Sequence, residues 1–184
     1  MESLPPVPLR RYILFAAIAA IGCVTDLATK SLAFSRLSWG EVHWVWPEHV
    51  GFQLSLNEGA LFGMGQGKVW WFAVLSVVAA IAIPVWLFVY RAANDWLLTV
   101  ALGAVTGGIF GNLYDRLGMH GVIWPWPPER AGLPAYAVRD WILWQYNDQW
   151  RWPNFNIADS LLVVGAGAIF LRAMRADSLE KTVN

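Results

Sequence analysis

Long apolar stretches with few charges dominate the chain and predict four membrane-spanning helices. Residues 69–90 and 96–114 contain no charged residue over 22 and 19 positions, and about 20 apolar residues cross the hydrocarbon core. A shorter uncharged run, 12–25, reaches that length only if its helix continues through Asp26 and Lys30. The last run, 155–171, contains Asp159 as its only charge. The predicted spans are approximately residues 12–33, 69–90, 96–114 and 156–173.

Four spans leave two long loops, 34–68 and 115–155, and put both termini on one side of the membrane. Six basic residues lie in the termini and in the short turn after the second span, more densely than in the loops. Because short cytoplasmic segments are rich in Lys and Arg, we expect cytoplasmic termini and outer loops. Apolar residues alternate with small or polar ones from Val50 to Leu56, which predicts a strand. Prolines exclude a regular helix or central strand in the WPWPPERAGLP segment.

Composition supports a membrane protein and narrows its function. Of 184 residues, 57% are hydrophobic and 14% charged, too apolar a mixture for a soluble domain of this size. The 13 tryptophans lie mostly near span ends and in loops, as in an aromatic belt at the membrane surface. The net charge is zero and no basic stripe exists, so a nucleic-acid partner is excluded. We predict an all-α membrane protein: four transmembrane helices with a small extracytoplasmic β element and interfacial loops, in one membrane-embedded domain over residues 1–184.

The first span has a second interpretation. Arg10, Arg11, the apolar run after them and the sequence AIGC ending at Cys23 resemble the signal peptide of a lipoprotein. In that alternative the chain is itself a lipoprotein. Three further spans argue against it, and so does the pair of charges at 26 and 30, whose spacing is typical of a continuing helix.

Small residues occur at every fourth position of the third span. They are Gly103, Gly107 and Gly111. A face of this kind allows two helices to approach closely. We expect these glycines to serve packing and not chemistry.

Ionisable residues at membrane depth are candidates for function, because each must be paired or hydrated. Asp26 and Lys30 have the spacing of a helix salt bridge, which would serve either as an anchor or in a site. Asp115 and Arg116 are adjacent in sequence, and we predict that they form a local structural pair. Asp159 falls in the first turn of its helix, where unpaired N–H groups and the helix dipole favour a carboxylate, so capping alone would explain it.

Several common hydrolase motifs are absent from the sequence. No H-E-x-x-H occurs, and His43, His49 and His120 lack the spacing of zinc ligands. No G-x-S-x-G and no phosphate-binding glycine loop occurs. The single cysteine excludes an internal disulfide framework. Carboxylates are therefore the main candidate catalytic groups.

Five short motifs in a fixed order resemble a known family, the bacterial lipoprotein signal peptidases (signal peptidase II), which are membrane aspartic proteases. The motifs are DLATK (26–30), NEGALFG (57–63), GGIFGNLYDR (107–116), VRDW (138–141) and FNIADS (155–160). The resemblance covers roughly residues 10–175. It implies removal of the signal peptide from diacylglyceryl-modified prolipoproteins, with the cut just before the lipidated cysteine.

By motif position, the resemblance implies a catalytic pair, Asp140 and Asp159, and nine supporting or substrate-binding residues. The nine are Asp26, Lys30, Asn57, Gly59, Gly108, Asn112, Arg116, Asn156 and Ala158. It implies no metal and no cofactor. It also implies lipid-modified prolipoproteins as partners and a place in the bacterial cytoplasmic (inner) membrane, surrounded by membrane lipid. We expect a monomer, although the sequence does not determine the oligomeric state, and the distribution of basic residues places the active site toward the outer face.

Two features depart from the family's pattern. The proline- and tryptophan-rich stretch 117–137 is longer than the family's usual link between the third and fourth motifs. Arg139 stands beside Asp140 where the family commonly has an apolar residue. Because extended chain alternates sides, we expect Arg139 to point away from the site. The rival interpretation is a non-enzymatic membrane protein, such as a small transporter or assembly factor, with polar groups along a path through the bilayer.

Overall fold

The computed structural model describes residues 5–59, 65–147 and 149–183, with the side chains of the last helix described as far as Arg175. Within these residues four helices are long and apolar enough to cross a membrane. They are α1 Leu9–Arg36, α2 Val69–Pro84, α3 Trp96–Arg116 and α4 Ile157–Val183. A π-helical turn, Val85–Val89, extends α2 beyond Pro84. Four helices of membrane-spanning length and composition, as predicted, are therefore present in the described part of the chain, and α1 continues unbroken through both of its buried charges.

Helix α3 is the central helix of the bundle, and most of its residues are buried. Its glycine face packs against α1: a Cβ atom at Gly107 would lie 2.8 Å from the carbonyl oxygen of Ala19, and one at Gly103 would lie 3.2 Å from Ile18. The predicted role of this face in close packing is confirmed. The other three spans expose most of their apolar side chains outward, as expected of helices that contact lipid.

A four-stranded antiparallel sheet lies at one end of the bundle. It consists of β1 His43–Trp46, β2 Val50–Asn57, β3 Val138–Asn147 and β4 Trp150–Arg151, in that order. The alternating segment forms β2, as predicted. Its partner β3 comes from the second long loop and was not predicted as a strand. Both faces of β3 are buried at its start, so its sequence has no period-two alternation.

The opposite end of the molecule holds the start of α1, the α2–α3 turn and the Arg172 region of α4. The side chain of Asn94 in this turn donates a hydrogen bond to the carbonyl of Pro5 at 2.9 Å, and Arg172 of α4 forms an ion pair with Asp95. Asp95 also caps α3, since its carboxylate accepts the N–H of Leu97 at 2.8 Å. The start of α1 and the Arg172 region of α4 thus lie at the same end of the bundle, beside the α2–α3 turn.

The segment 117–137 forms neither a helix nor a regular strand, as its prolines predicted. Backbone hydrogen bonds of 2.9 Å join Trp124 to Leu133 and Val122 to Ala135, and one isolated bridge pairs Ile123 with Pro134. The segment is therefore a loop that folds back on itself. Its first arm follows α3, and its second arm leads into β3.

Candidate active site

Asp140 and Asp159 meet where β3 touches the start of α4. The backbone of Phe155 pairs with Ile142: the Ile142 N–H donates to the Phe155 carbonyl at 2.9 Å, and the Phe155 N–H donates back at 3.1 Å. This pairing holds the chain that enters α4 against β3. The next residue, Asn156, donates its side-chain amide to Asp140 at 2.6 Å. Asp140 of β3 and the N-terminus of α4 are thus in direct contact.

Asn156 and Asp159 form a reciprocal cap at the N-terminus of α4. The Asn156 Oδ1 atom accepts the Asp159 N–H at 2.9 Å, and the Asp159 Oδ2 atom accepts the Asn156 N–H at 3.3 Å. This is the geometry of a capping box, in which two unpaired donors are satisfied at once. Capping by Asp159 is confirmed. Its other oxygen, Oδ1, accepts the side-chain amide of Asn112 at 2.9 Å, so capping leaves one oxygen directed toward α3.

Asp140 is buried, with 1% of its surface exposed. Its two carboxylate oxygens accept one side-chain amide each, from Asn156 at 2.6 Å and from Asn57 at 3.2 Å. Burial raises the pKa of Asp140 well above its ordinary value, and the negative charge of Asp159 raises it further. Asp140 therefore retains a proton at a pH where an exposed aspartate is ionised.

Four further charged residues are buried near this pair, two acidic and two basic, so their charges sum to zero. They are Asp26, Lys30, Asp115 and Arg139. The Lys30 Nζ atom lies 2.7 Å from Asp26 Oδ2, 3.2 Å from Asp115 Oδ2 and 2.8 Å from Asn112 Oδ1. Its three protons thus have three partners. The predicted salt bridge between Asp26 and Lys30 is confirmed.

Lys30 also fixes the orientation of Asn112. The Asn112 oxygen accepts hydrogen bonds from Lys30 and, at 3.2 Å, from Asn156. Its amide nitrogen therefore faces Asp159, to which it can only donate. Lys30 thus influences the Asp159 carboxylate through the side chain of Asn112, which is hydrogen-bonded to both.

The prediction that Asp115 and Arg116 form a local pair is wrong. Asp115 accepts hydrogen bonds from Arg139 instead, from the backbone N–H at 2.9 Å, from Nε at 3.1 Å and from Nη2 at 2.9 Å. Adjacent residues of a helix point in different directions, so neighbours in sequence are poor partners there. The expectation that Arg139 points away from Asp140 is confirmed, because its guanidinium is bound to Asp115.

Asp115 is a site-supporting residue that sequence reasoning missed. Its position one helical turn after Asn112, on the face of α3 that carries that asparagine, was the available signal. Its carboxylate fixes the backbone of the strand residue directly before Asp140. It thus belongs with the nine predicted supporting residues.

The remaining predicted residues shape the surroundings of the pair. The Ala158 N–H donates to Asp26 at 2.9 Å, and a Cβ atom at Gly108 would lie 2.6 Å from the Ala158 carbonyl oxygen. Only glycine therefore lets α3 pass this close to the start of α4. Arg116 donates to the Gly59 carbonyl at 3.2 Å, and the Gly59 N–H donates to Asn57 at 2.9 Å. The rest of the NEGALFG motif, residues 60–63, lies outside the described residues.

Two openings lead to the two carboxylates. A groove of about 240 Å³ lies between α2, α3 and α4. It is lined mainly by apolar side chains such as Phe72, Leu75 and Leu162, with Arg116 and Asp159 among its few polar groups. A polar cavity of about 240 Å³ reaches Asp140 from the side of the sheet, past Ser55 and Asn154. The first opening is thus mainly apolar and the second mainly polar.

Known proteins resemble this chain both in sequence and in structure. A family model described as signal peptidase (SPase) II matches residues 18–175. The lipoprotein signal peptidase of Rhodopirellula baltica is 50% identical over 165 residues, which cover 86% of this chain and 70% of that protein. The lipoprotein signal peptidase of Polynucleobacter necessarius is 36% identical over 171 residues, 91% of each chain.

Two solved structures of bacterial membrane enzymes have the same fold. One has a TM-score of 0.73 and covers 97% of this chain and 95% of its own. The other has a TM-score of 0.68 and covers 94% and 97%. Both are 23% identical to this chain in sequence, so they support the fold alone. Because the family model matches most of the chain and one relative is 50% identical over 86% of it, this chain belongs to the signal peptidase II family.

Proposed function

We propose that this chain is an aspartic endopeptidase that removes the signal peptide from lipid-modified prolipoproteins, with Asp140 and Asp159 as its catalytic pair. The observation that carries the proposal is the convergence of two carboxylates on Asn156, which contacts both. Family membership supports the reaction and the substrate class. Cutting just before the lipidated cysteine is the expected position of cleavage.

In the proposed reaction the two carboxylates share one proton and titrate as a pair. Asp140 holds the proton, because its burial favours the neutral form. Asp159 lies at a helix N-terminus, where the dipole favours a carboxylate. It takes a proton from water, and the resulting hydroxide attacks the scissile carbonyl carbon while Asp140 donates its proton to the carbonyl oxygen. Asp159 then passes its proton to the nitrogen while Asp140 takes back a proton from one hydroxyl of the intermediate, so the C–N bond breaks, the carboxyl and amine products form, and both aspartates return to their starting protonation.

The two openings suit this substrate. A signal peptide is apolar, and the groove between α2, α3 and α4 is apolar along its length, with Asp159 among its few polar groups. Water approaches through the polar cavity beside Asp140. Arg116 lies in the groove wall and is bound to the Gly59 carbonyl. We assign it the role of holding that segment and of offsetting the negative charge of the pair.

The remaining residues act through the pair and have no contact of their own with the scissile bond. Asn57, Asn112 and Asn156 orient the two carboxylates. Asp26 and Lys30 hold Ala158 and Asn112 in place. The density of basic residues supports cytoplasmic termini and an outward-facing site in the inner membrane, and we propose that a monomer is the active form.

Replacing each carboxylate tests the assignment. Asp140→Asn and Asp159→Asn should each lower kcat for cleavage of purified lipid-modified prolipoprotein by about a thousandfold or more, because either change removes a proton-transfer group. Glu48→Gln, at an exposed carboxylate of the β1–β2 turn, is the matched control and should cleave normally. Near-normal cleavage by a folded Asp variant would refute the catalytic pair. Equal cleavage of precursor without lipid would refute the substrate class.

A further inference from the structure

The two ends of the loop 117–137 are held by buried residues and hydrogen bonds, and the loop places one cation, Arg130, near the site. Its base is held by Ala135 and Ala137, which are 1% and 0% exposed, and by His120. The His120 Nδ1 atom accepts the Val122 N–H at 2.9 Å, and its other ring nitrogen lies 3.2 Å from the Ala137 carbonyl. Burial lowers the pKa of His120, which keeps the ring neutral for this arrangement.

Arg130, in the outer part of the loop, makes two hydrogen bonds to one carboxylate. Its Nη1 and Nη2 atoms lie 3.0 Å and 2.6 Å from the two oxygens of Glu58. The guanidinium also stacks on Trp124, 3.9 Å from a ring centroid. Bidentate geometry and stacking make this pair more directional than an ordinary surface ion pair. Glu58 raises the pKa of Arg130 through these hydrogen bonds, so the cation is permanent.

Glu58 stands between two residues that contact the site. Asn57 donates to Asp140 at 3.2 Å, and the Gly59 carbonyl accepts from Arg116 at 3.2 Å. Asn57 is the last residue of β2, so the chain leaves the sheet at this point and loses the support of strand pairing. An anchor at Glu58 would therefore restrain both contacts.

We propose that the Glu58–Arg130 pair is a positioning element through which the loop 117–137 holds Asn57 and Gly59 against Asp140 and Arg116. The inference rests on the function proposed above and gives the loop a role in that reaction. Neither Glu58 nor Arg130 touches the scissile bond. Their effect on catalysis passes through the amide of Asn57 and the carbonyl of Gly59.

Loosening Asn57 has a consequence for the pH profile. The Asn57 amide stabilises the ionised form of Asp140, as Asn156 and the cation Lys30 do, while Asp159 and burial oppose it. Weakening the Asn57 contact should make Asp140 hold its proton to higher pH. The alkaline limb of kcat against pH, where the pair loses its shared proton, should then move upward. A purely structural role for the loop would leave that limb unchanged.

The experiment uses the full-length enzyme in detergent micelles with lipid-modified prolipoprotein as substrate. Arg130→Ala and Glu58→Gln should each lower kcat about three- to tenfold with little change in melting temperature, and the double variant should be no worse than either single one. The exchanged pair, Glu58→Arg with Arg130→Glu, should recover part of the loss. Arg172→Ala is the control: it breaks another half-exposed arginine ion pair, at the far end of the molecule, and should leave kcat unchanged.

The outcomes separate the two proposals. Unchanged kcat and pH profile in the Arg130 and Glu58 variants, or additive losses in the double variant, would overturn the positioning role. If Asp140→Asn and Asp159→Asn abolish cleavage in the same assay, that result leaves the catalytic pair intact. If those two variants still cleave the substrate, the proposed catalytic pair is refuted, whatever the Arg130 and Glu58 variants show.

Discussion

Asn156 connects the two carboxylates at the scale of single residues. Its backbone N–H and side-chain oxygen bond Asp159, while its amide nitrogen bonds Asp140. The side chain is completely buried, so none of these contacts is exchanged for water. The same residue caps the helix and spaces the pair, and the geometry of the reaction is thereby tied to the start of α4.

The raised pKa of Asp140 makes stability depend on pH. A carboxyl whose pKa is raised on folding keeps a proton that the unfolded chain releases. Its contribution to stability is therefore fully present below the unfolded value, about 3.9, and is lost as pH rises through the folded value. Asp140→Asn removes this loss, because an amide never ionises.

We therefore expect the melting temperature of Asp140→Asn, relative to that of the natural protein, to be about 2–4 °C higher at pH 8 than at pH 4. The new amide nitrogen meets a neighbouring amide N–H at every pH, so that cost does not change with pH. Thermal unfolding in detergent micelles, followed across this range, measures the difference. Glu48→Gln, at an exposed carboxylate, should show no such pH-dependent difference. A difference for Asp140→Asn that stays constant with pH would contradict the assignment of the raised pKa.

At the scale of elements, the contact between α1 and α3 determines how closely Lys30 approaches Asn112. A Cβ atom at Gly107 would lie 2.8 Å from a backbone oxygen of α1, Ala19. Since neither backbone can turn aside, Gly107→Ala should push the helices apart and lower the free energy of unfolding by about 1–3 kcal/mol. Cleavage should fall as well. The control is Gly167→Ala in α4, where the space is open and helix propensity favours alanine.

Thermal unfolding and cleavage rates of these two variants provide the measurement. Equal stability of Gly107→Ala and Gly167→Ala would mean that the close approach of α1 to α3 has little energetic weight. Loss of stability in Gly107→Ala alone, with cleavage reduced in the folded fraction, is the expected result.

Elements with a strong local pattern could be predicted from sequence, and contacts between distant segments could not. The spans follow from uncharged runs, and β2 follows from the alternation of Val50 to Leu56. The reciprocal cap on α4 could be predicted in part, because its two partners, Asn156 and Asp159, are close in sequence. In contrast, Asp115 pairs with Arg139, 24 residues away. Helix geometry argues against the adjacent Arg116 as its partner, but nothing in the spacing of the sequence points to Arg139. The family motifs brought the site residues together, and the structure supplied the hydrogen bonds that join them.

At the scale of the whole molecule, the buried charges join three elements that are far apart in sequence. Lys30 comes from α1, Asp115 from α3 and Arg139 from β3. Removing one cation leaves a buried carboxylate undercompensated, which is much more costly than losing a surface ion pair. The charges therefore hold the sheet to the bundle.

Arg139→Met should lower the free energy of unfolding by about 3 kcal/mol or more. The alkaline limb of kcat against pH should be unchanged in the folded fraction, because Arg139 is bound to Asp115. Thermal unfolding and the pH profile, recorded well below the melting temperature, measure the two effects. Arg151→Met, at an exposed arginine of β4, is the control for loss of a positive charge. A shifted alkaline limb would mean that the charge of Arg139 acts on Asp140 directly.

The pairing of Asp115 with Arg139 also imposes an order on biogenesis. Asp26 and Lys30 are made within one turn of helix and can neutralise each other as soon as α1 enters the membrane. Asp115 is made at the end of α3, and its arginine follows only 24 residues later, after the loop 117–137. Until Arg139 has been synthesised, the two carboxylates Asp26 and Asp115 therefore share one cation, Lys30. We therefore expect the sheet end of the protein, with the proposed catalytic pair, to assemble last.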